Sequence, residues 1–210
     1  MGIIITENSL ITQIEDDSVA RLEKEQEYLD YIKEHIDFVN KAFDMYMLNL
    51  LNMNNISTLI SDEDLKGAIR RLHPLIPTHD ASKFSDSEFD GYRMKWYATK
   101  AELAKMAEDK EFEQIVSDRY DKCWEHHYRV NEHHPKHWVD SETGIAQDMS
   151  LDAIIEMLCD WEAMSLKFGT STLKWYENDA KDEKAALSPK TKEIVEDLLY
   201  NVLHNSISKY

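Results

Sequence analysis

The sequence is poor in the residues that shape tight turns. Its 210 residues include only 5 glycines and 4 prolines, whereas a large β protein needs many more turn-forming residues. A chain of this length suits one domain with a substantial core. The composition therefore favours an all-α fold over a sandwich or a barrel.

Cysteine and long apolar runs are also scarce. The two cysteines, Cys123 and Cys159, each fall inside a predicted helix, which is not a disulfide framework and fits a reducing compartment. The N-terminus lacks the basic start and the apolar run of a signal peptide. No stretch approaches the roughly 18 apolar residues of a membrane span. We therefore expect a cytoplasmic protein that does not bind a membrane.

Positive charge is in deficit. Lys and Arg number 24 against 41 Asp and Glu, which gives a formal net charge of −17. Such a surface repels phosphate backbones, and no basic run offsets it, so long nucleic acid is not an expected partner. A small anionic substrate stays compatible with this charge because a bound divalent cation reverses the field locally.

Apolar residues recur at three- and four-residue steps over most of the chain, which is typical of helices. The predicted helices cover residues 19–52, 61–72, 85–97, 109–130, 150–168 and 188–204, and most are opened by a serine cap. No alternating run indicates a strand. We predict a tail or arm over 1–18 and a single domain over 19–210. The apolar segment Ile3–Ile5 fits either a homodimer contact or a packed arm.

Histidine is abundant and unevenly placed. Five of the nine histidines lie between positions 126 and 137, in the segment WEHHYRVNEHHPKHW. Imidazole is the commonest protein ligand for Zn, Fe and similar metals. Dense histidine is costly in an ordinary core because buried ring nitrogens need partners. The segment is therefore either part of a metal site or a solvated loop.

The dipeptide His79-Asp80 favours the metal site. Both side chains can reach one cation if the backbone turns there, and the two oxygens of Asp80 can bridge two ions. His35 lies on an upstream predicted helix and Asp160 on a downstream one. Each has a simpler interpretation, a core histidine with ordinary partners and a buried carboxylate paired with Arg or Lys. Beside the His-Asp pair, we favour the ligand role for both.

These residues give the chain a resemblance to the HD-domain superfamily of metal-dependent phosphohydrolases. That family is helical and shows the order His … His-Asp … Asp, often with Lys in His-Asp-x-x-Lys. Here the order is matched by His35 in YIKEHIDFV, His79 and Asp80 in THDASKF, and Asp160 in EMLCDWEAM. The segments HDxSKFS, HHxxxNxHHPxHW and MLCDWxAM also resemble a narrower, uncharacterised HD-like family, which implies no known substrate.

The resemblance implies a compact helical domain with a metal site between helices. The implied metal ligands are His35, His79, Asp80, His127, His133 and Asp160, followed by His126 and His134. The cofactor would be one or two divalent ions of Mn, Fe, Zn, Co or Mg. Ser82 stands where many relatives have glycine, and the histidine spacing in 126–134 departs from theirs, so the number of ions stays open.

The resemblance also implies a reaction, the hydrolysis of a nucleotide or similar small phosphoester by metal-activated water. The implied catalytic residues are Asp80, Lys83 and His134, of which His134 would protonate the leaving alcohol. Lys83 and Arg129 would bind the substrate phosphate.

Two other functions fit the same residues. Some HD-like proteins are di-iron oxygenases with the ligand order His, His-Asp, His, His, Asp, which this chain also satisfies. Alternatively, the metal site is structural and the acidic surface binds a partner. Two irons per chain with consumption of O₂ would favour the oxygenase. An Asp80→Ala variant that loses the metal but keeps its biological activity would favour the non-catalytic protein.

Overall fold

The structure, a computed structural model, describes the backbone of residues 7–204 and the side chains of residues 17–202. Ten α-helices lie in this part of the chain. They are α1 (Glu7–Ala42), α2 (Leu48–Leu50), α3 (Asp62–Leu72), α4 (Phe89–Trp96), α5 (Lys100–Glu108), α6 (Lys110–Val130), α7 (Leu151–Phe168), α8 (Thr172–Asn178), α9 (Lys181–Ala185) and α10 (Pro189–Leu198). Two π-helical turns, Phe43–Met47 and Leu199–His204, follow α1 and α10.

The predicted all-α class is confirmed. Over residues 7–204 the chain forms no strand, and the isolated antiparallel bridge between Val139 and Ala146 joins two loop positions. Within the same range, no helix combines the length and the apolar character needed to cross a lipid bilayer.

Serine caps set where several helices begin. Ser61, Ser150 and Ser188 each accept a hydrogen bond from the backbone N–H three residues further on, which confirms the predicted starts of α3, α7 and α10. Helix α7 ends at Gly169, whose φ of 65° lies in the left-handed region that favours glycine at this position.

Other helix boundaries differ from the predictions. Helix α1 begins at Glu7 instead of Val19, so part of the predicted tail is helical, while Ile3–Ile5 lies outside the described residues. The predicted helix start at Ser85 is wrong. Helix α4 begins only at Phe89, and the Glu88 side chain makes no capping bond, because its carboxylate bonds two histidines. Helices α5, α8 and α9 were not predicted.

The chain forms two compact units, each built from two stretches of sequence. The first unit joins the chain up to Lys33 with Ala81–His127. The second unit joins Glu34–Asp80 with the chain from Tyr128 onward. Each unit therefore combines residues from distant parts of the sequence. The single HD-like domain over 19–210 stays a prediction.

An aromatic cluster holds the first unit together. The Tyr28 ring of α1 lies 5.2 Å from the Phe89 ring, 6.5 Å from that of Tyr92 and 5.5 Å from that of Tyr97. Ring centroids about 4.5–7 Å apart attract each other beyond their burial from water. Tyr28 and Tyr92 are buried, so this cluster fixes the N-terminal helix to α4.

Helix α7 lies at the centre of the second unit. It packs against α3, α8 and α10, and its Ile154, Ile155 and Leu158 are almost completely buried. Residues four apart share one side of a helix. The side of α7 that is not sealed into the core carries Glu156, Asp160, Met164 and Phe168. This accessible face positions the candidate site.

Candidate metal centre

The His79-Asp80 pair lies at a sharp turn in the second unit. A 3₁₀ turn over Ile76–Thr78 ends at His79, whose φ and ψ are −48° and 135°. Asp80 then adopts a φ of 57°, in the left-handed region that residues with a Cβ rarely occupy. Both side chains are buried, with 1% and 3% exposure. The turn therefore brings an imidazole and a carboxylate into the interior together.

His35 of α1 reaches the same place. It is buried, and its Nε2 lies 3.0 Å from Asp160 Oδ1 and 3.6 Å from Asp80 Oδ2. The 3.0 Å contact is a hydrogen-bond distance, so Asp160 also serves His35 as an ordinary partner. The distances bring together three residues that are widely separated in the sequence.

Helix α7 supplies two carboxylates, Glu156 and Asp160, one turn apart on its accessible face. The Glu156 Oε1 atom lies 2.9 Å from His79 Nδ1 and 3.4 Å from His133 Nδ1. Both histidines therefore turn Nδ1 towards Glu156. A histidine bonded to a carboxylate through Nδ1 presents Nε2 as its ligand atom.

The surroundings of the His79 Nε2 atom indicate whether this site fits a cation. It is buried and has no hydrogen-bond partner among residues 17–202. The Oδ2 atom of Asp80 and the Oδ1 atom of Asp160 lie 3.6 and 3.7 Å away, beyond hydrogen-bond distance. Leaving a buried ring nitrogen unsatisfied is expensive. A divalent cation between the nitrogen and the two oxygens would satisfy all three, so the residues fit a metal ion.

His133 approaches the other oxygen of Asp80. Its Nε2 lies 3.5 Å from Asp80 Oδ1, whereas His35 and His79 approach Oδ2 at 3.6 Å. The His134 ring centroid is 4.3 Å from that of His133. The Asp80 carboxylate thus lies between two groups of imidazoles, as a carboxylate that bridges two ions would.

Three sets of ligand atoms overlap here, and within each set the atoms lie within 4.8 Å of one another. The sets are His35, His79 and Asp80; then His79, His133 and Asp160; then Asp80, His133 and His134. We call these six residues the metal cluster. All six were predicted as ligands, and the structure brings them together within one unit.

The carboxylates and imidazoles of the metal cluster shift each other's pKa, and Glu156 takes part. Burial opposes ionisation of Glu156, yet hydrogen bonds from His133 and His79 hold its carboxyl pKa at about 2. Burial likewise opposes ionisation of Asp160, but His35 and His79 hold the pKa of that carboxyl well below its usual range. Burial lowers the pKa of His79, and the surrounding carboxylates outweigh it and raise that pKa to about 10. Buried carboxylates that stay ionised need positive partners.

The first unit contains another arrangement of histidines around a carboxylate. Glu88 is completely buried, and its two oxygens lie 2.7 Å from His126 Nδ1 and 2.8 Å from His127 Nδ1. Ser82 Oγ is 3.2 Å from His127 Nδ1. Burial raises the pKa of Glu88, but the bonds from the two histidines outweigh it and lower that pKa. The carboxylate therefore fixes the orientation of both rings.

The remaining predicted site residues lie on both units. Lys83 belongs to the first unit, where its Nζ is 5.9 Å from the centre of the Tyr92 ring. Arg129 belongs to the second unit and is exposed near the end of α6. The substrate roles of Lys83 and Arg129, and the ligand roles of His126 and His127, stay predictions.

Two carboxylates that hold these histidines, Glu156 and Glu88, were not predicted as site residues. Glu156 precedes Asp160 by four residues, and that helical spacing was a usable signal. Glu88 completes a capping-box pattern with Ser85, which concealed its role because the pattern predicts an exposed side chain at a helix start.

A comparison with known protein families gives a match over most of the chain. Residues 24–201 match the model of a family described as a family of unknown function (DUF5662). The matched range includes the whole metal cluster. No curated protein and no solved structure matches the chain.

Proposed function

The chain belongs to the DUF5662 family, and from the metal cluster we propose that it is a metal-dependent phosphohydrolase acting on a nucleotide or a similar small phosphoester. The observation that carries this proposal is the buried Nε2 of His79 between the carboxylates of Asp80 and Asp160. Support also comes from the resemblance to HD-type phosphohydrolases, which keep histidine and aspartate in the same order along the chain.

The cation would be held by His35, His79, Asp80 and Asp160. Mixed imidazole and carboxylate ligands suit Mn, Fe, Co and Zn. When bound, such an ion acts as a Lewis acid and lowers the pKa of water from about 15.7 to about 7. Glu156 contributes by fixing the rings of His79 and His133 through Nδ1, so that both Nε2 atoms are oriented before the ion arrives.

Other residues would handle the substrate. His134 is half-buried beside His133 and, when it is not a ligand, would donate a proton to the leaving alcohol. Arg129, which belongs to the second unit, would neutralise the phosphate, since charge-assisted hydrogen bonds to phosphate oxygens are strong. Each role predicts its own kinetic effect. Loss of His134 would lower kcat, whereas loss of a phosphate contact would raise KM.

The test combines metal analysis with a release assay. The purified chain, loaded separately with Mn, Fe, Co or Zn, is expected to retain at least one ion per chain and to release inorganic phosphate from nucleoside monophosphates. Asp160→Asn is expected to lose both properties. Asp152→Asn is the matched control, because Asp152 lies on the same helix but pairs with Arg71 at 2.6 Å. Metal retention without release of phosphate would refute the hydrolase.

A di-iron oxygenase is the second candidate, and the position of Asp80 favours it. The two oxygens of Asp80 approach different imidazoles, so Asp80 would help to hold two irons. Two irons per chain together with consumption of O₂ would support the oxygenase over the hydrolase. An Asp80→Ala variant that loses its metal without losing biological activity would refute both.

A further inference from the structure

A cleft of 910 Å³ lies in the second unit, between the C-terminal part of α7 and α8. Its walls include four large apolar side chains, Trp161, Met164, Phe168 and Trp175. The rings of Trp161 and Trp175 are 5.1 Å apart and steeply inclined to each other, at 68°. Clefts of about 300–1,000 Å³ with aromatic walls are typical of small-molecule sites.

The cleft also contains a buried polar group. Ser165 lines it and is only 6% exposed. The hydroxyl oxygens of Ser165 and Thr172 are 2.7 Å apart, and Thr172 donates its own hydrogen to the Glu162 carboxylate. A hydroxyl oxygen has two acceptor lone pairs, so the Ser165 oxygen can accept a hydrogen bond from an N–H group of a ligand in the cleft.

On α7, the residues that line the cleft begin at Trp161, directly after Asp160 of the metal cluster. Met164 follows Asp160 by four residues, which places it about 6 Å further along the helix axis, and Phe168 follows by four more. Trp161 is the residue directly after Asp160. A molecule with one end at the metal cluster can therefore extend its other end into the cleft.

We propose that this cleft binds the nucleobase of a substrate whose phosphoester lies at the metal cluster. The inference rests on the proposed hydrolase function and narrows its substrate to a nucleotide. Flat rings stack on indole and phenyl groups and pack against thioethers. The Ser165 oxygen selects rings that carry an N–H donor. Phe168 is 64% exposed, so a stacked base would remove apolar surface from water.

Binding of the base is tested without catalysis. Adenosine, guanosine, cytidine and uridine lack the phosphate, and each is titrated into the full chain while tryptophan fluorescence is followed. Saturable quenching by at least one nucleoside is expected, because Trp161 and Trp175 line the cleft. Stacking on one aromatic side chain corresponds to about a 5- to 140-fold change in affinity. Phe168→Ala is expected to lower the affinity for the nucleoside by a factor within that range.

Two further variants make the result specific. Met164→Ala is expected to lower the affinity for the nucleoside about 5-fold, since it removes a thioether contact with the ring. Met164 lies between Asp160 and Phe168 on α7. Leu59→Ala is the control, because Leu59 is also an exposed apolar residue of the second unit, at 54% exposure, and lies outside the cleft. Circular dichroism checks that each variant is folded. No quenching by any nucleoside, or equal affinity in all variants, would overturn the inference.

The outcomes separate this inference from the function on which it rests. Phosphate release from glycerol phosphate without nucleoside binding would overturn the nucleobase cleft and leave the hydrolase standing. Nucleoside binding without any phosphate release would support the cleft and refute the hydrolase. A dimer that Phe168→Asp dissociates, with no nucleoside effect, would assign the cleft to a second copy of the chain and overturn the inference.

Discussion

Asp80 combines a buried carboxylate with a backbone conformation that suits glycine better. Its φ of 57° costs of order 1–3 kcal/mol for a residue with a Cβ, and its burial adds a desolvation penalty. A residue that only stabilised the fold would carry neither the backbone strain nor the desolvation penalty. The position is explained if the carboxylate must stand between the imidazoles of the metal cluster.

Substitution of Asp80 separates backbone strain from the ligand role. Asp80→Gly removes both the carboxylate and the strain, whereas Asp80→Ala keeps the strained Cβ. We expect the glycine variant to be about 1 kcal/mol more stable than the alanine variant, and both to lose the cation. Urea denaturation in a chelator measures the difference. Equal stability of the two variants would show that the turn is not strained.

Glu156 is predicted to tune the cation site without being a ligand. Glu156→Gln keeps the shape of the side chain but removes the charge that orients His79 and His133. The affinity for Mn²⁺ should fall about 10- to 100-fold, as for other carboxylates that hold metal-binding histidines. Isothermal titration measures it, with Glu193→Gln on the exposed side of α10 as the control. An unchanged affinity would remove Glu156 from the site.

Among the helices, α4 and α6 approach closely at Gly91. A Cβ built on Gly91 would overlap the Cys123 sulfur and lie 3.2 Å from the carbonyl oxygen of Arg119. Gly91→Ala should therefore destabilise the protein by about 1–3 kcal/mol through overpacking, measured by thermal unfolding. The Gly91→Ala/Cys123→Ala double variant should recover part of the loss. No recovery would mean that the helix backbones, not the thiol, limit the approach.

The start of α5 depends on an ionised carboxylate. Glu102 accepts hydrogen bonds from the Arg93 guanidinium at 2.7 and 2.9 Å and from the Thr99 backbone N–H at 2.7 Å. Burial raises the pKa of Glu102, but these bonds outweigh it and lower that pKa. A carboxyl whose folded pKa lies below its unfolded value of about 4.3 stabilises the fold above that value. The stabilisation disappears as the pH falls through the folded pKa.

Glu102→Gln should therefore have a pH-dependent effect. At pH 7 we expect the free energy of unfolding to fall by about 2–3 kcal/mol, because a charge-assisted bond to buried Arg93 is lost. As the pH falls below the unfolded value of about 4.3 and through the folded pKa, the difference from the unmodified chain should narrow, since the native carboxyl then loses its charge as well. Glu108→Gln, exposed on the same helix, is the control. A difference that persists unchanged at pH 3 would contradict an electrostatic role.

The predictions of helix boundaries were correct where a single residue determines the local structure. Ser61, Ser150 and Ser188 bond the backbone within three residues, and Gly169 ends α7 through its own φ, so short sequence patterns suffice. Helix α5 was missed although Thr99 and Glu102 form a complete capping box. Its short length and weak apolar pattern gave no second signal.

The candidate site was predictable where residue order carries the information. The pair His79-Asp80 directed attention to a histidine upstream and an aspartate downstream. The order His … His-Asp … Asp then predicted His35 and Asp160 as further ligands. Glu156 was not found, because among 41 acidic residues a single glutamate on a helix predicts only a solvated charge. Its role depends on which histidines fold against it, and that is long-range information.

For the molecule as a whole, the cation should contribute to stability. An ion that binds only the native state stabilises it by RT ln(1 + [L]/Kd), about 2.7 kcal/mol at one hundred times Kd. We expect Mn²⁺ to raise the Tm and a chelator to reverse the effect. Asp160→Asn should abolish the shift, and Asp152→Asn should retain it. A shift that survives in Asp160→Asn would place the ion elsewhere.

The interleaving of the two units also constrains how the protein is made. Asp160 is translated 80 residues after Asp80, which takes about 4–16 s at ordinary ribosome speeds. During that interval, the emerging polypeptide lacks Asp160, the last residue of the metal cluster, while synthesis of the first unit is already complete at His127. If the proposed cation binds there, its loading would be a late event in biogenesis, and a cell short of the ion would accumulate full-length chains whose first unit is finished but whose second unit lacks its cation.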